Sequence, residues 1–250
     1  MKYILLFPFL LFALASCNKP SDKIIVATAA NVQYVMADLK AEFEKETGKE
    51  IVLVVSSSGK LTSQIREGAP FDVFVSADTK YPREIFSKGG GSEPPRVYAL
   101  GSLVLWSMLI PPIELKPEYL QTVNVRKVAI PNPKLAPYGA AAMQVLDKLN
   151  LRKQVEPKLV FGESISQTAQ YITTGSTEAG FCALSIVRSR EMKGKGNWVL
   201  IDSSLYTPIE QAAILLKHSD DSPKKETSKK FYDFLYSQKA KAILRKYGYK

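Results

Sequence analysis

"EIVLVVSSSGKLTSQIREGAPFDVFVSAD", residues 50–78, decides the fold. The aliphatic run Ile51–Val55 fits a buried strand, the serines and Gly59 make a turn, and "KLTSQIREG" reads as a short helix closed by Gly68. "FDVFVSAD" then forms another strand. Upstream, "KIIVATAA" is strand-like. The following segment, residues 31–48, places Val32, Val35, Met36, Leu39 and Phe43 on one helical stripe, with Asn31 as cap and Gly48 as stop. The order βαβαβ predicts a parallel sheet with right-handed crossovers.

The rest of the chain repeats the theme. "RVYALGSLVLWSM" (96–108) reads as one long strand and "PPIELKPEYL" as a proline-broken connection. "KVAIPNPKLAPYG" gives a strand and loop leading into the helix "AAAMQVLDKLN". "KLVFG" precedes the capped helix "ESISQTAQYITTG", and "EAGFCALSIV" (178–187) reads as a strand. "IEQAAILLK" is a further strand, and residues 224–248 form two amphipathic helices. Two parallel sheets joined by two crossings of the chain give two lobes with a cleft between them. In open α/β sheets ligands sit beyond the carboxyl ends of the strands. The loops around Asn31, Ser58, Tyr138 and Ile165 occupy that position.

The first residues stand apart from this pattern. "MKYILLFPFLLFALASC" has an early Lys2 and a short apolar run, which is how a signal peptide reads. Leu14-Ala15-Ser16-Cys17 matches a lipoprotein processing site. Residues 1–16 are therefore expected to be removed, Cys17 lipidated, and residues 17–22 to serve as a tether. Acyl chains at Cys17 would hold the domain at a membrane surface in the cell envelope, outside the cytoplasm. Cys182 is the only other cysteine, so no internal disulfide is expected. The formal charge of the chain is +10, but the basic residues are scattered. That scatter and the expected export argue against nucleic acid, and the excess charge favours small anions instead.

The turn at Ser58 invites a nucleotide reading that its spacing refuses. A phosphate-gripping loop needs glycine where Val54 stands and a hydroxyl where Leu61 follows Lys60. Ser57 and Lys60 form an S-x-x-K, but the companion elements of that hydrolase class are absent, which leaves a serine hydrolase as a remote alternative. One histidine, His218, and one free cysteine make no ordinary metal site, and no cofactor is expected. An oxyanion held at helix starts remains, because unpaired N–H groups bind anions without a lysine. Ordinary capping by Asn31 and Ser58 is the plainer alternative.

"VATAAN", "SSGKLTSQIREGAPFDVFVSAD", "PNPKLAPYG" and "FYDFLYSQKAKAILRKYGY" together resemble the substrate-binding proteins of molybdate ABC transporters, over nearly the whole exported chain. The resemblance implies the type II periplasmic-binding fold, with two α/β lobes and a ligand cleft at the hinge. Approximate lobes would be 23–101 with 217–250, and 102–216. It implies a monomeric receptor that passes molybdate, and tungstate too, to a membrane permease, with molybdenum or tungsten present only as bound cargo. Another oxyanion such as sulfate or phosphate is the alternative cargo.

Ligand positions carry over as Ala30 with Asn31, Ser58, the N–H of Tyr138 and the N–H of Ile165. Some members have serine at Asn31 or a binding tyrosine at Ala183, so this chain departs there. Lys60 lies near the implied cleft, where a solvent-facing place in the first helical turn is the simpler reading.

Overall fold

The computed structural model describes residues 23–220 and 223–250; the expected signal segment, Cys17 and the tether lie outside them. Two five-stranded sheets organise the chain. β1 (Ile24–Ala29) enters a 3₁₀ turn, Ala30–Val32, and then α1 (Gln33–Thr47). Val32, Val35, Met36, Leu39 and Phe43 are all buried, and Gly48 ends the helix with φ of 66°. β2 (Ile51–Ser56), α2 (Ser58–Arg66), β3 (Val73–Val75) and α3 (Lys80–Ser87) follow. β1 pairs in parallel with both β2 and β3, as the opening stretch predicts.

Residues 96–108 are two strands. β4 (Arg96–Gly101) belongs to the first sheet and β5 (Leu103–Ser107) to the second, so the chain crosses at Ser102. Gly101 permits the crossing: a Cβ there would lie 2.1 Å from the Tyr138 hydroxyl and 2.5 Å from Gln211 Nε2.

The second sheet then assembles from β6 (Val128–Pro131), with α4 (Pro137–Lys148) and the short α5 (Arg152–Val155) behind it. β7 (Leu159–Gly162), α6 (Ile165–Thr173) and β8 (Ala179–Ala183) come next. The expected strand 178–187 stops at Ala183. There the Leu184 N–H bonds the Ser102 carbonyl at 2.9 Å, and α7 (Leu184–Val187) begins. β9 (Asn197–Leu200) completes the sheet.

β6 runs parallel to β7 and β8, whereas β5 is antiparallel to β8 and β9. β10 (Ile209–Leu215) returns to the first sheet, antiparallel to both β3 and β4. Both sheets are thus mixed rather than parallel, because each accepts a strand after the chain has crossed over. A division at residue 216 places β10 in the second lobe; its hydrogen bonds are in the first sheet.

α8 (Lys225–Phe234) and α9 (Gln238–Lys246) pack on the first sheet's side, with Phe231 and Phe234 edge-on to Phe43 at 5.3 and 5.6 Å. Beyond α9, Lys250 exchanges both main-chain bonds with Leu100, at 2.8 and 3.1 Å. Among the described residues no helix is long and apolar enough to cross a membrane.

Candidate functional site

Four helical segments begin around one small cavity. Ala30 opens the 3₁₀ turn, Ser58 opens α2, Pro137 with Tyr138 opens α4, and Ile165 opens α6. Ala30, Asn31, Ser58, Tyr138 and Ile165 all line it. The first two loops extend from strands of the first sheet and the other two from the second, so the cavity lies between them. Its volume is about 10 Å³, room for roughly one water and far below the ~300 Å³ typical of organic-ligand pockets. No charged side chain lines it. Helix starts leave N–H groups without intrahelical acceptors and carry the positive end of the dipole. Such a lining suits a compact anion stripped of water.

Each lining residue contributes differently. Ser58 Oγ accepts the Ala77 N–H at 3.0 Å, which leaves its own hydrogen to donate. The start of α6 is set by Ser164, whose Oγ accepts the Gln167 N–H at 3.3 Å and places the Ile165 N–H first in the helix. Tyr138 turns its side chain away from the loop: the phenol is buried and accepts from Gln211 Nε2 at 3.0 Å. Its main-chain N–H is what it can offer an anion.

Asn31 differs from its expected role. It sits inside the 3₁₀ turn and caps nothing. Its Nδ2 donates to Gln211 Oε1 at 2.8 Å and to the Tyr249 hydroxyl at 3.0 Å. Its Oδ1 is buried without a partner. The amide hydrogens are therefore committed to the interior, and its main-chain N–H is the donor available to the cavity. Ala30 supplies only a methyl side chain. Ala183 is buried in β8 and brings no side-chain donor.

Behind the cavity lies a polar network that the sequence reading misses. The Tyr98 hydroxyl donates to Gln211 Oε1 at 2.9 Å, and Ser185 Oγ donates to the Asn31 carbonyl at 2.8 Å. The Tyr249 hydroxyl lies 3.0 Å from Ser185 Oγ. Burial pushes the phenols of Tyr98 and Tyr138 well above their ordinary range and that of Tyr249 up to about 12, so all three stay neutral. One available signal was Gln211, a polar residue inside the apolar run "IEQAAILLK".

Outside the cavity the two halves clasp directly. The Lys60 ammonium pairs with Glu163, beside the start of α6. The Gly59 N–H donates to the Leu135 carbonyl and the Tyr81 hydroxyl to the Lys134 carbonyl, each at 3.0 Å. With Lys60 held by Glu163 and Ser57 Oγ unpartnered, the S-x-x-K spacing builds no nucleophile and base pair. His218 is exposed in the 3₁₀ turn Lys217–Ser219. Cys182 is buried, and burial lifts its thiol to about 12, which makes it inert. A larger groove runs past Asp78, Lys80, Gln144 and Glu210, but its two carboxylates oppose an anion.

A family model described as bacterial extracellular solute-binding protein matches residues 24–250. Molybdate-binding protein ModA of Azotobacter vinelandii is 38% identical over 238 residues, covering 94% of this chain and 93% of the relative. The ModA of Rhodobacter capsulatus is 40% identical over 232 residues, 92% of this chain and 88% of its own length. The solved Azotobacter vinelandii periplasmic molybdate-binding protein matches with a TM-score of 0.85 and 32% identity, covering 91% of this chain and 98% of that one.

Proposed function

The chain belongs to the bacterial extracellular solute-binding proteins, and from that premise we propose that it captures molybdate outside the cytoplasm for delivery to an ABC-transporter permease. It is a binding protein rather than an enzyme, as are the relatives it matches. Molybdenum enters only inside its cargo, the tetrahedral oxyanion, and tungstate, of nearly equal size and charge, shares the site. Lipidated Cys17 would keep the receptor on the membrane near its permease.

One observation carries this reading: four helical starts, two from each sheet, meet around a small cavity without a charged side chain. A dianion there accepts from the main-chain N–H groups of Asn31, Ser58, Tyr138 and Ile165 and from the Ser58 hydroxyl. Neutral donors fixed in place by the fold hold the anion without offering it a base. We take the lobes as 23–101 with 209–250, and 102–208, which keeps each strand with the sheet it pairs in. An anion bound by both lobes favours their closed arrangement, because it binds that state better.

Asn31 Oδ1 supports a second reading. This unpartnered buried acceptor would meet the proton that phosphate keeps near neutral pH, so hydrogen phosphate is the competing cargo. Calorimetry on anion-stripped protein decides between them. Saturable one-site uptake of molybdate at micromolar concentration or below, with tungstate competing and phosphate and sulfate far weaker, is expected. No molybdate uptake in that range overturns the proposal.

A further inference from the structure

We propose that the Ser57 hydroxyl donates directly to the bound oxyanion, as a second serine donor beside Ser58; this rests on the oxyanion reading above. Ser57 lines the cavity, is 3% exposed, and its Oγ has no hydrogen-bond partner. A buried hydroxyl left unpaired destabilises a fold, and one at a cavity wall is open to a partner that arrives in the cavity.

The obvious local role for Ser57 goes unused. It occupies the cap position of α2 with extended backbone angles, φ −69° and ψ 150°, yet makes no side-chain cap bond. Ser164 and Ser237 stand at the same position of α6 and α9, and there Oγ accepts the Gln167 and Ala240 N–H groups at 3.3 and 3.1 Å. The main chain of Ser57 is nonetheless fixed, since its carbonyl accepts the Leu61 N–H at 3.0 Å. A rigid backbone with an uncommitted hydroxyl at a cavity wall is a prepared donor.

The rest of the lining leaves room for it. Ala29, Ala30, Ala77 and Ala136 bring only methyl groups, the Tyr138 phenol faces Gln211, and both Asn31 amide hydrogens are engaged. Ser57 and Ser58 are then the side-chain donors this cavity has among the described residues. An ionised tetrahedral oxyanion can only accept, so each hydroxyl turned toward it adds a charge-assisted bond.

The test compares the wild-type chain with Ser57→Ala and Ser189→Ala, using molybdate titration by calorimetry and unfolding midpoints without anion. Ser189 is a matched control: its Oγ is also buried and unpartnered, and it does not line the cavity. Ser57→Ala is expected to raise the molybdate Kd about ten-fold or more, with the anion-free midpoint unchanged or higher. Ser189→Ala is expected to leave Kd alone. An unchanged Kd in Ser57→Ala overturns the inference, as does a weakened Kd accompanied by a lower anion-free midpoint. A wild-type chain that takes up no molybdate defeats the proposed function itself, before any variant is compared.

Discussion

The Tyr249 hydroxyl accepts a hydrogen bond from Asn31 Nδ2 at 3.0 Å, joining residues 218 positions apart. The same hydroxyl lies 3.2 Å from the Asn31 carbonyl and 3.0 Å from Ser185 Oγ. One phenol therefore ties the loop after β1 to the start of α7, across the sheets.

Tyr249→Phe removes that oxygen and leaves part of the Asn31 amide unpaired in the interior. Stability should fall by about 1–3 kcal/mol, measured by urea denaturation. Molybdate affinity should fall as well, since the Asn31 loop loses an anchor. Full affinity in the variant would mean that the loop holds its shape without the phenol.

Ser58→Ala takes away a cavity donor and the acceptor of the Ala77 N–H together. Binding is expected to weaken by about 1–3 kcal/mol, and the anion-free fold to lose about 1 kcal/mol. Calorimetry and thermal unfolding report the two effects separately. This double loss distinguishes Ser58 from Ser57, whose hydroxyl has no partner in the protein.

The Lys60–Glu163 pair bridges the two halves with side chains 43% and 66% exposed, so it contributes less than about 1 kcal/mol and is screened by salt. Glu163→Gln should speed molybdate release a few-fold at low salt. Stopped-flow measurements at low and at high salt should show the difference vanish at high salt. A salt-independent effect would place the residue's role elsewhere.

Glu178 governs a pH effect away from the cavity. Burial alone raises its carboxyl, but N–H bonds from Lys127 at 2.7 Å and Arg126 at 3.2 Å outweigh it and hold it below the usual glutamate value. A carboxylate with a lower pKa in the folded state stabilises fully above its unfolded pKa and loses that contribution as pH falls through the folded value. The unfolding free energies of wild type and Glu178→Gln should therefore converge as pH is lowered from about 5 to about 3. A gap that widens on acidification would reverse the assignment.

The strand and helix order of the first sheet was legible because each element carries its own local pattern. The apolar run Ile51–Val55 ends at small residues, and the stripe from Val32 to Phe43 stops at Gly48. The cavity residues were legible for a related reason, since they follow strands at turns where helices begin.

Other features left no local trace. Residues 96–108 are apolar straight through the crossing, so only Gly101 and its neighbours across the sheets reveal the break at Ser102. The antiparallel placement of β5 and β10 depends on where the chain re-enters each sheet, which no window of sequence contains. The orientation of the Asn31 side chain is set by Gln211 and Tyr249, 180 and 218 positions away. A cap was the natural local reading of that asparagine, and distant partners override it.

The pairing of Lys250 with Leu100 has a practical corollary. Leu100 adjoins Gly101, where the polypeptide passes from one sheet to the other, so anything joined to Lys250 is mounted beside that crossing. A fluorescent reporter attached there would register cargo capture without touching the cavity, whereas one on the outer face of α8 would ride along unchanged. For the same reason, a bulky purification tag belongs elsewhere on the chain.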